Sequence, residues 1–122
     1  MANILFIDDE PLTRKLLTQA ASILGHRGHT AATAEEAVHL ANTLLPDLIV
    51  TDINLNGKRS LNMIDELRSA PQTKSIPIIT LSALAPDEIG QEAASRGAVA
   101  SLEKPVRLQT LLEVISTYAP KV

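Results

Sequence analysis

Short aliphatic runs alternate along the chain with longer segments of helical periodicity. Asn3–Ile7, Leu48–Thr51 and Pro77–Leu81 are mostly apolar and are bounded by polar or turn residues. Runs of this kind read as strands buried on both faces of a parallel sheet. A weaker run, Val99–Leu102, and a short polar one, His29–Ala32, bring the set to five. The first helix runs from Pro11, suited to an opening turn, to Leu24, and Gly25 stops it. Leu12, Leu16, Leu17, Ala20 and Ile23 lie near one face of it. Thr33 and Glu36 form a capping box for a second helix, which reaches Leu45 before Pro46 forbids its continuation. Ile53–Arg59 reads as a loop, and Ser60–Ser69 as a helix with Leu61, Ile64 and Leu67 inward. A polar connection, Ala70–Ile76, leads to the fourth strand. Pro86 opens a fourth helix, with Asp87 and Glu88 near its positive end and Gly97 at its close. Arg107–Tyr118 is the last helix, with Leu108, Leu111, Leu112 and Ile115 apolar.

Strand and helix thus alternate five times, which predicts an α/β, doubly wound parallel sheet with helices on both faces. The most apolar strands belong at the centre and the polar second strand at an edge, favouring the order 2-1-3-4-5. Ligands of such sheets bind beyond the carboxyl ends of the strands, where the strand order reverses. The residues at those ends are Asp8-Asp9, Asp52, Ser82 and Lys104-Pro105. One edge then gathers three carboxylates, a hydroxyl and an ammonium. That assembly can hold a divalent cation beside a carboxylate that accepts a phosphoryl group.

Composition narrows the alternatives. The 122 residues are 45% hydrophobic, enough for one core. Phe6 and Tyr118 are the only aromatics, so the core is aliphatic and no platform exists for stacking bases. The net charge is −3 and the basic residues are scattered, which argues against direct nucleic-acid binding. There is no cysteine, which excludes disulfides and thiol chemistry. No run approaches the ~18 apolar residues of a membrane span. Met1-Ala2-Asn3 leads straight into a strand, leaving no room for a signal peptide, so a soluble cytoplasmic protein is expected. His26, His29 and His39 lie away from the strand ends and read as surface residues, and Met63 as core filler.

Four motifs stand in order at successive strand ends: Ile7-Asp8-Asp9-Glu10, Asp52-Ile53-Asn54-Leu55, Leu81-Ser82-Ala83 and Lys104-Pro105. In these the chain resembles the receiver domain of two-component response regulators, from Asn3 to Tyr118. The resemblance implies a flavodoxin-like (βα)5 fold and a single receiver domain over residues 1–122. It implies that Asp52 is the phospho-acceptor, attacking the phosphorus of a phosphohistidine on a sensor histidine kinase or histidine phosphotransfer protein. It implies a Mg2+ ion held by Asp9, Asp52 and the backbone carbonyl of Asn54, with Asp8 acting through water. Lys104 contacts the phosphoryl oxygens, Ser82 donates to another, Ala83 leaves them space, and a cis bond before Pro105 aims Lys104. Such a protein is a signalling switch acting on a downstream protein, not an enzyme, although it assists its own phosphorylation and dephosphorylation.

The chain departs from the family in places. Ser101 stands where relatives carry a Tyr or Phe that swings inward as the Ser82 hydroxyl moves. A buried ring is worth ~1.5–3 kcal/mol through area alone, and a serine cannot supply that difference. Ser101 is therefore expected to decouple the fifth strand, making the output route atypical. Tyr118 lies on the last helix and does not replace the ring. Asn56 and Ser60 replace a common proline and glycine, and Asn54 and Leu84 hold positions that tune phosphoryl lifetime. The alternative is a receiver-fold scaffold that binds partners without phosphorylation. An aspartyl phosphatase is disfavoured because Asp8-Asp9-Glu10 lacks the spacing of nucleophile and acid.

Overall fold

A computed structural model describes residues 2–55, 58–59, 61–82 and 86–119, with side chains for all of these except 58–59 and 86–90. Asn56, Ser60, Ala83 and Leu84 lie outside the described residues, as do the side chains of Asp87 and Glu88. Five strands, β1 (Asn3–Ile7), β2 (Arg27–Ala31), β3 (Leu48–Asp52), β4 (Ile78–Ser82) and β5 (Ala100–Glu103), pair in parallel. Their order is β2-β1-β3-β4-β5, as the polarity of the runs predicts. The helices are α1 (Pro11–Ile23), α2 (Ala34–Leu44), α3 (Leu61–Ser69), α4 (Pro86–Ser95) and α5 (Leu108–Tyr118). Among the described residues, no helix is long and apolar enough to cross a membrane.

Strand residues alternate between two cores because successive side chains point to opposite faces. Leu5, Ile7, Ile49 and Ile78 pack with Ala37, Ala41, Ile64, Leu67 and Ala93 from α2, α3 and α4. Ile4, Phe6, Leu48, Val50, Ile79 and Leu81 pack with Leu17, Ala20, Ala21, Leu111 and Ile115 from α1 and α5. Both faces of β1, β3 and β4 are thus covered, which is why these runs are continuously aliphatic.

Several local expectations shift. The buried stripe of α1 is Leu17, Ala20 and Ala21, whereas Leu12 is 77% exposed and Ile23 61%. α1 lies close against β2 at Thr18. A Cβ on Gly28 would stand 3.1 Å from the Thr18 methyl and 3.2 Å from the Phe6 ring. β2 begins at Arg27 because parallel pairing draws Arg27 and Gly28 into register with Asn3 and Ile4. β5 is displaced by one residue, to Ala100–Glu103. The expected loop after β3 holds a small antiparallel hairpin, Asn54–Leu55 with Lys58–Arg59. Two of the three histidines are partly buried ties: His26 Nδ1 accepts the Ala2 N–H at 3.1 Å, and His29 Nε2 lies 3.2 Å from Asn3 Oδ1. Thr33 does cap α2, accepting the Glu36 N–H at 3.1 Å, while Glu36 reaches back to the Ala32 N–H at 2.8 Å.

Candidate functional site

The polar residues converge where β1, β3, β4 and β5 end. β1 runs out at Ile7 and delivers Asp8 and Asp9; β3 ends in Asp52 and β4 in Ser82. Lys104 follows β5, and its N–H donates to the Ser82 carbonyl at 2.7 Å, one further rung between these strands. The peptide bond between Lys104 and Pro105 is cis.

Asp8 and Asp52 are held by the same device. Each turns Oδ1 to the backbone N–H two residues on, Glu10 for Asp8 and Asn54 for Asp52, both at 2.9 Å. Each offers Oδ2 to the Lys104 ammonium, at 2.7 Å from Asp8 and 2.8 Å from Asp52. Asp8 is fully buried and Asp52 nearly so. Bonds between ionised groups in such surroundings are the stronger kind. Burial pushes the Asp52 carboxyl above its usual range, while the Lys104 bond and the Asn54 N–H pull it back without overcoming that rise. Burial works against the Lys104 ammonium too, but its bonds to Asp52 and Asp8 outweigh the penalty and raise its pKa. Among the described residues, the one Lys104 ammonium thus joins two carboxylates.

Asp9, half-buried, completes the cluster. One oxygen from each of Asp8, Asp9 and Asp52 lies within 4.8 Å of the others. Hard carboxylate oxygens at this spacing suit Mg2+ or Ca2+ rather than a softer metal. Beside Lys104 opens a mainly apolar cavity of about 390 Å³, lined by Glu10, Thr13, Leu16, Leu17, Pro105 and Val106.

The response regulator receiver domain family matches residues 4–116. The chain belongs to that family. Its fold superposes on the chemotaxis response regulator CheY4 of Vibrio cholerae with a TM-score of 0.90, at 29% identity over 97% of this chain and 98% of that one. The positive alginate biosynthesis regulatory protein of Pseudomonas aeruginosa is 34% identical over 93% of this receiver and 45% of its own length. The sensor histidine kinase RcsC of Salmonella typhimurium is 28% identical over 98% of this receiver, which spans 12% of that kinase.

Within this receiver, Ser82 is nearly buried at the end of β4. Ser101 sits opposite Thr80, and their hydroxyl oxygens are 2.7 Å apart. The Tyr118 hydroxyl donates at 3.4 Å to the carbonyl of Val99, just before β5 begins. Sequence reasoning passed over Thr51 and Thr80, which are buried and in register with each other in β3 and β4. The available signal was a threonine inside an otherwise aliphatic strand, which demands a hydrogen-bond partner.

Proposed function

We propose that Asp52 accepts a phosphoryl group from a phosphohistidine donor in a Mg2+-dependent reaction, and that its modified state is the signal. The observation that supports this most is the Lys104 ammonium joining Asp8 and Asp52 beside Asp9. The donor is a sensor histidine kinase or a histidine phosphotransfer protein, and a downstream protein reads the result.

The oxygen donor set fits Mg2+. Asp9, Asp52 and the Asn54 carbonyl are the groups that would hold it, with Asp8 acting through water. When bound, the ion offsets the carboxylate charge and stabilises the transferring phosphoryl oxygens. An Asp52 carboxylate oxygen forms the new O–P bond as the donor's P–N bond breaks, and the electron pair stays on the imidazole nitrogen. Ionised Asp52 is the reactive form. The Lys104 bond and the Asn54 N–H favour it, against the burial that opposes it. Lys104 then passes from the Asp52 carboxylate to a phosphoryl oxygen as a point charge, and the Ser82 hydroxyl donates to another. The apolar cavity beside Lys104 offers surface to an approaching donor. Output follows a route without ring burial, because Ser101 has none to move.

Incubation with Mg2+ and a small acyl phosphate, followed by intact mass, tests the reading. A gain of one phosphoryl group is expected in the natural chain, and none in Asp52→Asn, which keeps the size but lacks the nucleophile. Full phosphorylation of Asp52→Asn would move the acceptor elsewhere. No uptake by the natural chain would favour a scaffold that binds partners unmodified.

A further inference from the structure

Three adjacent strands place hydroxyls in one row across the sheet. Thr51 pairs in register with Thr80, and Thr80 with Ser101. All three follow the alternation of Ile49 and Ile78, which face α2, α3 and α4. Thr51 and Thr80 are fully enclosed; Ser101, on the edge strand, is partly exposed. The Thr51 hydroxyl donates to the Asp52 carbonyl at 3.0 Å, within its own strand. The Thr80 hydroxyl instead crosses to Ser101, at 2.7 Å. Among the described residues, every buried side-chain nitrogen and oxygen has a partner. For Thr80 that partner is Ser101.

The position of this pair gives it a consequence. One step beyond Thr80 and Ser101 lie Leu81 and Leu102, and then Ser82 and Glu103. Immediately after comes the bond from the Lys104 N–H to the Ser82 carbonyl. Sliding β5 along β4 breaks the hydroxyl bond and that rung together. The residues disturbed would be Lys104, whose ammonium meets Asp52 at 2.8 Å, and Ser82 at the end of β4. A buried hydroxyl stripped of its partner loses more than the bond itself contributes.

We propose that the Thr80–Ser101 hydroxyl pair is a polar lock that holds β5 in register with β4 and so positions Lys104 and Ser82 toward Asp52. The inference rests on Asp52 being the acceptor. Ser101 is then a positioning residue, which acts through Thr80 and Lys104 and stays in place when the state of Asp52 changes. The hydroxyl, rather than side-chain volume, is what the position requires.

The test uses Ser101→Ala, Thr80→Val, their double variant, and Ser101→Thr as the conservative replacement. Amide exchange is measured on the unmodified proteins. The Leu102 and Lys104 amides should exchange about tenfold faster in Ser101→Ala, with a smaller change in Thr80→Val, whose orphaned Ser101 reaches water. The double variant should resemble Thr80→Val rather than add to Ser101→Ala. Phosphorylation by a small acyl phosphate at saturating Mg2+ should slow several-fold in Ser101→Ala. Mg2+ affinity should stay within about twofold, because the carboxylate cluster lies on β1 and β3. Ser101→Thr should restore both exchange and rate. Exchange and rate unchanged in Ser101→Ala would overturn the lock, and so would a loss as large in Ser101→Thr as in Ser101→Ala. If the natural chain takes up no phosphoryl group, the acceptor reading fails by itself, and the exchange data still decide whether the lock exists.

Discussion

The carboxyl ends of β1 and β3 and the hydroxyl row of β4 and β5 lie a few residues apart and handle polarity in opposite ways. At β1 and β3, buried carboxylates share one ammonium and two backbone N–H groups. Asp52 remains raised in pKa despite these partners. At β4 and β5, neutral hydroxyls are paired off within the sheet. The first arrangement gathers carboxylate oxygens that could hold a metal ion. The second is already satisfied and gains nothing by moving. On the proposed reading a reactive centre lies beside a static neighbour, and the difference lies in formal charge: an unmet charge is far costlier to bury than an unmet hydroxyl.

Removing the shared ammonium strikes this contrast hardest. Lys104→Ala should slow phosphorylation on the order of 100-fold, in line with losing a group that meets developing charge. Its Mg2+ affinity should not fall, since the change removes a competing cation from Asp8 and Asp52. A titration showing much weaker Mg2+ binding would mean that Lys104 supports the metal site rather than competes for its oxygens.

A smaller but selective effect is expected from the carboxylates themselves. Asp9→Ala should weaken Mg2+ about tenfold or more, and Asp8→Ala less, because a residue acting through water contributes less than a direct ligand. Equal affinity in the natural chain and Asp9→Ala would put the ion elsewhere. A greater loss from Asp8→Ala would exchange the two roles.

The mildest effect concerns pH. Asp52 has a folded pKa above its unfolded value of 3.8, so the folded state holds its proton more tightly. Metal-free stability therefore declines as pH rises from about 4 through the folded pKa. Asp52→Asn should flatten that decline and raise the metal-free melting temperature at neutral pH by a few degrees. Mg2+ should reduce the gap by stabilising the ionised natural chain. Lys104 also lowers stability as pH rises, but in a higher window, its contribution being present below about 10.5 and lost as pH rises through its raised folded pKa. Thermal melts across pH, with and without Mg2+, separate the two. An identical pH profile in the natural chain and Asp52→Asn would show that burial does not disfavour the Asp52 charge.

Sequence alone determined the architecture and the location of the candidate site. Aliphatic runs such as Leu48–Val50 admit few structures except strands covered on both faces, and five strand segments alternating with amphipathic ones leave one sheet type. Because four of the five end at Asp8, Asp52, Ser82 or just before Lys104, the topology gathers those residues without further information. Tertiary packing decided the rest. The leucines of α1 define an inward face by periodicity, but packing buries Leu17, Ala20 and Ala21 and leaves Leu12 outside. The histidines read as surface residues in the sequence, whereas the fold sets His26 beside the Ala2 N–H and His29 beside Asn3. Lys104 was assigned to a phosphoryl group, and the fold gives it Asp8 and Asp52 as present partners. Ser101 read as a missing ring, whereas the register of β4 and β5 makes it the partner of a buried threonine 21 positions away. Periodicity reports which face a residue takes. Only the register between distant strands reports which atom meets it there.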